Sequence, residues 1–241
     1  MNFETLLVEK DGPIGHLTLN RPKRMNALGA TVLQELTAAA RWFDEQREIR
    51  VVIVRGEGRA FCAGADLNEP FGQVGDDATW LDRREQGQLG LQMANAIEGM
   101  RAVTIAQVHG YAVGGGIVLM SACDLRVVAE ETVFSIPEVD LGIPLAWGGI
   151  PRLVREIGPA ITKELVMTCR RFTPQEAQVM RFVNRVVPLD QLGETCEALA
   201  QELADKPFVP LVITKEHVNS VTQAMGSGST AFADGDTLLG V

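Results

Sequence analysis

Residues 102–123 have the sequence AVTIAQVHGYAVGGGIVLMSAC, which carries no charge when His109 is taken as neutral. The stretch is long enough for a transmembrane helix, which needs about 20 apolar residues. However, the three consecutive glycines from Gly114 to Gly116 would break a spanning helix. We therefore interpret the stretch as a buried strand, a turn and a buried helix that follow one another in sequence.

Strand and helix patterns alternate on both sides of this stretch. The β-branched run VVIV at 51–54 is typical of a strand buried on both faces of a parallel sheet, and LRVVA at 125–129 predicts another strand. A helix with one apolar face begins near Ala30. The sequence predicts an α/β fold with a mostly parallel sheet over residues 1–143, and a nearly all-helical region over 144–241.

The composition excludes several classes of protein. The chain has 241 residues, and 22 Lys and Arg against 31 Asp and Glu give a net charge of −9. Hydrophobic residues at 46% and charged residues at 22% are typical of a globular protein with an ample core. The acidic balance disfavours broad electrostatic binding to nucleic acid or to an anionic membrane, although it permits a local site for a small anion.

The cysteines and the N-terminal residues bear on location. The four cysteines are sparse and have no metal-type spacing, so we expect reduced thiols and no metal site: Cys62, Cys123, Cys169 and Cys196. Charged residues interrupt the first twenty positions, which therefore lack the apolar stretch of a signal peptide. The sequence predicts a cytoplasmic protein.

The segment AFCAGADL at 60–67 is the first candidate for a ligand site. Small residues at 63–65 allow the backbone to approach a ligand closely and leave N–H groups free to donate. A tight turn between a strand and a helix would need the same small residues for packing alone.

The second candidate is the glycine triplet Gly114 to Gly116, at the start of the predicted buried helix. Bare N–H groups at the positive end of a helix suit a phosphate, a carboxylate or a developing oxyanion. The spacing matches neither a dinucleotide-binding fingerprint nor a P-loop, because no Lys-Ser/Thr pair follows. A close contact between helix and sheet is the alternative explanation.

The third candidate is Glu138, within FSIPEVDLGIP at 134–144. Apolar surroundings are costly for a carboxylate unless it is used or paired, and they raise its pKa toward the range of a general acid or base. An exposed glutamate in a turn, like Asp140 two residues on, is the alternative.

Together with other motifs in the same order, these segments resemble the crotonase superfamily, also called the enoyl-CoA hydratase/isomerase family. The other motifs are NRPKRMNAL (20–28), CDLRVVA (123–129), GGIPRL (148–153) and, less specifically, RFTPQEAQVMRFVNRVV (171–187). The resemblance implies a spiral of β-β-α units with a C-terminal helical segment that builds a homotrimer or a dimer of trimers. It also implies an acyl-CoA thioester substrate, with coenzyme A as part of that substrate and no separate cofactor.

The resemblance also implies catalytic roles. The backbone N–H groups of Ala63 and Gly115 would form the oxyanion hole, and Glu138 would transfer the proton. Hydratases of the family share one water between two glutamates, and the second falls at Val118, which cannot hold or deprotonate a water. This substitution favours double-bond isomerisation by Glu138 alone. Dienoyl-CoA isomerases add an acid at the position of Ala146, so that activity is disfavoured.

Residues around these positions are implied to contact the substrate. Those against the thioester or coenzyme A would be Ala63, Gly64, Ala65, Asp66, Leu67, Gly114, Gly115 and Val118. Arg21, Lys23 and Arg24 are candidate phosphate contacts, or ordinary surface cations. Residues 68–77 would form a lid over the acyl pocket, and Trp147 would line that pocket or belong to the core.

Two other functions are compatible with the sequence. One is an enoyl-CoA hydratase that uses a single glutamate, and the other is a non-catalytic acyl-CoA binder in which Val118 records lost chemistry. A serine peptidase on a similar fold is disfavoured, because Ser121 lies too far along the helix that follows the glycines.

Overall fold

The computed structural model describes residues 2–69 and 79–225. Its helices are α1 (Ala30–Glu45), α2 (Trp80–Glu98), α3 (Gly115–Ala122), α4 (Gly149–Thr168), α5 (Pro174–Val179), α6 (Leu189–Ala204) and α7 (Phe208–Met225). Its strands are β1 (Leu6–Asp11), β2 (Ile14–Leu19), β3 (Val51–Gly56), β4 (Val103–Val108), β5 (Tyr111–Val113), β6 (Leu125–Ala129), β7 (Val133–Ser135) and β8 (Arg185–Val187).

A six-stranded sheet in the order β1-β2-β3-β4-β6-β8 forms the centre of the fold. The β1–β2 pair is antiparallel and the other pairs are parallel, as the strand–helix alternation predicts. Residues 51–54 of β3 are fully buried, which confirms that this strand is covered on both faces of the sheet. Alternate residues of the strands face two apolar clusters, one formed with α1 to α4 and the other with α6.

The stretch 102–123 forms two strands and a helix. Residues 103–108 are β4 and residues 115–122 are α3, as the sequence predicts, but β5 adds a short strand between them. In the described parts of the chain, no helix is both long and apolar enough to cross a membrane.

The C-terminal region is joined to the sheet and is not a separate unit. Strand β8 pairs with β6, and α6 covers one face of β3, β4 and β6. The predicted boundary at residue 143 therefore separates two stretches of sequence that share one sheet. Helix α7 has no buried residue and is held by polar contacts, in which Lys215 Nζ lies 2.7 Å from Asp124 Oδ2 and 2.9 Å from the Ala102 carbonyl.

Candidate active site

Three parallel segments bring the sequence motifs to one edge. Strand β5 pairs in parallel with β7 on one side, and on the other side Cys62 bridges in parallel to Ala112. The Cys62 N–H donates to Tyr111 O at 3.0 Å, and the Val113 N–H donates to Cys62 O at 3.0 Å. Because the carboxyl ends of parallel strands meet at the same edge, residues 63–66, the glycine triplet and Glu138 come together.

The carboxylate of Glu138 lies directly against Gly114. A β-carbon added to Gly114 would overlap Glu138 Oε1 and lie 3.1 Å from its Cδ. Gly114 has φ 48° and ψ −112°, a conformation that favours glycine, and its N–H donates to Ser135 O at 2.9 Å. The backbone between β5 and α3 is thus shaped to hold a carboxylate beside the Gly114–Gly115 peptide.

The side chain of Glu138 lies in an environment that shifts its pKa toward neutrality. Burial raises the pKa of Glu138 to about 7, although a backbone hydrogen bond partly opposes the rise. Its Oε2 atom is buried and has no hydrogen-bond partner within the described residues. Its carbonyl accepts from the N–H groups of Leu141 and Ile143, both at 3.0 Å, which fixes the turn. Glu138 is therefore not an exposed turn residue, whereas Asp140 is exposed.

The Gly115 N–H is available as an oxyanion donor. Gly115 is the first residue of α3, so its N–H has no acceptor within the helix, and none is found elsewhere in the described chain. The N–H also lies at the positive end of the helix, as the glycine triplet predicts.

Ala63 differs from its predicted role, because its N–H is already used. It donates to Met25 O at 3.0 Å. Ala65 is placed differently: its neighbours Gly64 and Asp66 form the bridge to Leu28, and no acceptor for the Ala65 N–H is found within the described residues. Besides the N–H of Gly115, a free N–H that could act as the second oxyanion donor is thus that of Ala65, two residues beyond the predicted donor.

Gly64 brings this loop against the glycine triplet. A β-carbon on Gly64 would lie 2.7 Å from Val113 O and 3.5 Å from the Gly115 nitrogen, and its φ of +91° favours glycine. Since Ala65 follows Gly64 directly, the two free N–H groups, on Ala65 and Gly115, border the same small volume.

Val118 lies one turn into α3 and is 1% exposed. A β-carbon on Gly149 would lie 2.9 Å from Val118 Cγ2, so the valine packs on the start of α4. The position of the second hydratase glutamate is thus part of an apolar cluster. Ala146, where dienoyl-CoA isomerases have an acid, is also buried.

The three candidate phosphate contacts differ in availability. Arg21 lies 3.0 Å from Asp66 Oδ2 and 3.2 Å from Glu69 Oε1, so its charge is neutralised within the loop. Burial raises the pKa of Asp66, but hydrogen bonds from Asn68 and the Arg21 guanidinium outweigh this and hold the pKa below its usual range. Lys23 and Arg24 are exposed, and no ion pair is found for either within the described chain.

The remaining predicted positions are only partly described. Leu67 is exposed, and Asn68 turns back to donate its N–H to Asp66 Oδ1 at 3.1 Å. Of the predicted lid, residues 70–77 lie outside the described residues. Trp147 is buried, and its ring contacts both α2 and Gly115.

Comparison with known proteins identifies the family of the chain. Residues 9–234 match a family model described as enoyl-CoA hydratase/isomerase. The chain is 37% identical over 219 residues to the probable enoyl-CoA hydratase echA8 of Mycobacterium tuberculosis, covering 91% of this chain and 82% of that protein. It is 35% identical over 220 residues to the peroxisomal Delta(3,5)-Delta(2,4)-dienoyl-CoA isomerase of Arabidopsis thaliana, covering 88% and 78% respectively.

A solved structure extends the comparison to the fold. The crystal structure of enoyl-CoA hydratase from Bacillus anthracis matches with a TM-score of 0.84 and 32% identity, over 91% of this chain and 84% of that one. Fold and motifs together define an α/β protein of the crotonase superfamily. The chain belongs to the enoyl-CoA hydratase/isomerase family, which confirms the family and the fold class that the sequence predicts.

Proposed function

We propose that this protein shifts the double bond of a 3-enoyl-CoA thioester to the 2-position, with Glu138 as the only acid–base group. The observation that carries the proposal is the carboxylate of Glu138, which lies against Gly114 beside the free N–H groups of Gly115 and Ala65. Position 118, where a hydratase would have its other glutamate, is a buried valine. The names of the relatives support an enzyme that acts on an enoyl-CoA.

In the proposed mechanism, the N–H groups of Gly115 and Ala65 hold the thioester oxygen. Ala65 replaces the sequence-predicted Ala63, whose N–H is occupied by Met25 O. Glu138 removes a proton from C2, and the electrons of the C2–H bond move toward the carbonyl oxygen to give a dienolate. Each donor to such an oxyanion contributes about 3–4 kcal/mol to the transition state.

The proton then returns from Glu138 to C4. As the C4–H bond forms, the carbonyl is restored and the double bond lies between C2 and C3. No water is consumed, so a second carboxylate is not needed. A pKa of about 7 suits both steps, because the same group must accept the proton and then release it near neutral pH.

Hydration by the single glutamate is the second candidate, because relatives are named enoyl-CoA hydratase. In that reaction Glu138 alone would have to position and activate the water. The apolar contacts of Val118 argue against a water held at that position. The dienoyl-CoA activity named for the Arabidopsis relative would need an acid where this chain has Ala146.

We further propose that the active form is a homotrimer or a dimer of trimers. Helix α7 supports this proposal, because it presents apolar side chains to solvent on a helix that has no buried residue. Exposed Lys23 and Arg24 are proposed to meet the coenzyme A phosphates.

The test of the proposed reaction is turnover of 2-enoyl and 3-enoyl thioesters, with products identified by mass. Glu138→Gln should lower isomerisation by about 100-fold or more, since a general base contributes roughly that much. The wild-type rate should rise with pH through about 7, as Glu138 loses its proton.

Asp140→Asn is the matched control, because it removes an exposed acid two residues away, and it should leave the rate unchanged. Equal rates for wild type and Glu138→Gln would refute the mechanism. A hydroxyacyl product formed faster than the shifted alkene would favour the hydratase. Tight thioester binding without any reaction would identify a non-catalytic binder.

A further inference from the structure

We infer that Trp147 determines substrate specificity by restricting the acyl group to short chains. This inference rests on the proposed function, because it takes the thioester carbonyl to lie at the Gly115 N–H. The sequence leaves two roles open for Trp147, and its contacts connect it to the candidate site.

The indole of Trp147 is clamped between two helices. A β-carbon on Gly115 would overlap Cζ3 of the ring and lie 3.1 Å from Cε3 and Cη2. On the facing helix α2, a β-carbon on Gly90 would overlap Cγ, Cδ1 and Cδ2 of the same ring. The indole thus spans the gap between α2 and α3, and one of its edges touches the Cα of the proposed oxyanion donor.

The backbone of Trp147 adopts a conformation that bulky residues rarely take. Its φ is 59°, and Gly148 follows with φ 71°, so two successive residues are left-handed. A left-handed conformation costs a non-glycine residue stability, and it persists only where the surroundings fix it. Such conformations cluster at ligand sites, which is consistent with a ring held in place for a purpose beyond filling the core.

Two neighbouring side chains extend the indole into an apolar wall. A β-carbon on Gly149 would lie 2.9 Å from Val118 Cγ2 and 3.0 Å from Leu145 Cγ and Cδ2. Trp147, Val118 and Leu145 are all nearly fully buried and belong to one apolar cluster. The wall stands beside Gly115, where the first carbons of the acyl chain must lie if the carbonyl accepts from its N–H.

The wall favours a short acyl chain for a steric reason. A longer chain that passes Gly115 would have to displace the indole, and the close contacts at Gly90 and Gly115 leave the ring little room to move. Removing the ring would open an apolar channel between α2 and α3. Each methylene buried there would raise affinity about fourfold.

The test measures binding of saturated, unreactive thioesters by calorimetry: butanoyl-, hexanoyl-, octanoyl- and decanoyl-CoA. For the wild type, affinity should fall with chain length. Trp147→Gly should reverse the order, with decanoyl-CoA binding at least tenfold tighter than to the wild type and butanoyl-CoA changed less than threefold. Glycine is chosen because it adopts the left-handed backbone readily.

Two further variants keep the test decisive if Trp147→Gly folds poorly. Trp147→Phe keeps a ring of smaller size and should shift the length limit by one step in the series. Trp42→Leu removes a half-buried tryptophan on α1, which packs on Phe43 away from the site, and should leave every affinity unchanged.

The outcomes separate this inference from the proposed function. If Trp147→Gly and Trp147→Phe lower the melting temperature but change all four affinities by the same factor, Trp147 is only a core residue and the inference fails. If the wild type binds no acyl-CoA of any length, the proposed function fails as well. Length-dependent binding that responds to Trp147 supports the inference even if Glu138→Gln shows no loss of turnover.

Discussion

At the scale of single residues, the site is organised around a carboxylate placed where it destabilises the fold. The backbone carbonyl of Glu138 accepts two hydrogen bonds that fix the turn, and its side chain lies against Gly114. Its Oε2 atom nevertheless has no hydrogen-bond partner within the described residues. A buried carboxylate without a partner disfavours the folded state when it is ionised. The same desolvation places the pKa near 7, where the proposed chemistry needs it.

Because Glu138 disfavours the folded state only when it is ionised, we expect the free energy of unfolding to fall as the pH rises. Burial raises the pKa of Glu138 from 4.5 to about 7. Below pH 4.5 the carboxyl is protonated in both the folded and the unfolded state. As the pH rises to about 7 the unfolded state ionises first, so stability is lost, and the full loss is about 3 kcal/mol.

Glu138→Gln cannot ionise and should therefore be more stable than the wild type at pH 8. The gain should be clearly smaller at pH 5.5, where the folded wild type still carries the proton. Urea unfolding at both pH values measures the difference, with Asp140→Asn as the exposed control. A gain that is the same at both pH values would show that Glu138 is not buried as a lone carboxylate.

Some of these residues carry a local signal in the sequence and others do not. Glu138 could be found because an acid after a proline in an apolar segment is a local signal. The sequence predicted the N–H of Ala63 as an oxyanion donor. It could not show that this N–H is used by Met25 O while that of Ala65 stays free, because the hydrogen bonds to Met25 and Leu28 join residues distant in sequence. Arg21 carries the same charge as Lys23 and Arg24, and its neutralisation by Asp66 becomes visible only in the folded loop.

At the scale of elements, the site depends on the small sheet of β5 and β7. Each strand has three residues, too short to show the alternation by which strands are recognised, and the sequence therefore predicted neither of them. Strands β3 and β4 and helix α3 were predicted, because apolar runs mark the two buried strands and the glycine triplet marks the start of the buried helix. The short sheet nevertheless sets the register between the glycine triplet and Glu138.

Gly114, at the junction of β5 and α3, tests this dependence. Gly114→Ala would strain the left-handed backbone and press its β-carbon onto Glu138 Oε1. We expect a loss of turnover of about 100-fold or more, since the base is displaced. The loss of stability should be only about 1–2 kcal/mol.

Gly12→Ala is the matched control. Gly12 also has a left-handed φ, 55°, but nothing lies within 4 Å of its β-carbon position. It should show a similar loss of stability by thermal unfolding and unchanged turnover. If the two variants lose activity equally, general strain and not displacement of Glu138 is the cause.

At the scale of the whole molecule, the chain encloses its sheet but leaves α7 incompletely covered. Helix α6 fills one face of the sheet, whereas α7 attaches through Lys215 and through Asn219, whose side chain donates to Glu98 O at 3.4 Å. The sequence predicted a helical region but could not show which helix would remain on the outside. The polar attachment of α7 and its outer position fit a helix whose exposed apolar side chains pack against another copy of the chain.

The side of α7 that carries Val218, Val221 and Met225 is the most direct test of the proposed assembly. These residues are 54%, 60% and 80% exposed, and their spacing places them on one side of the helix. Buried against a neighbouring subunit they would stabilise the assembly, and charges introduced there would be buried without partners. The double variant Val218→Glu, Val221→Glu should therefore shift the molar mass measured by light scattering from a trimer or hexamer toward a monomer.

Val179→Glu places the same charge at an apolar residue of α5 that is 85% exposed, and it should leave the molar mass unchanged. Because α7 touches the body through polar contacts, the double variant should keep its fold, which circular dichroism would verify. A monomeric wild type, or an assembly that tolerates both glutamates, would place the interface elsewhere. If the monomer also loses acyl-CoA turnover while its fold is intact, the subunit contact contributes to the site as well as to the assembly.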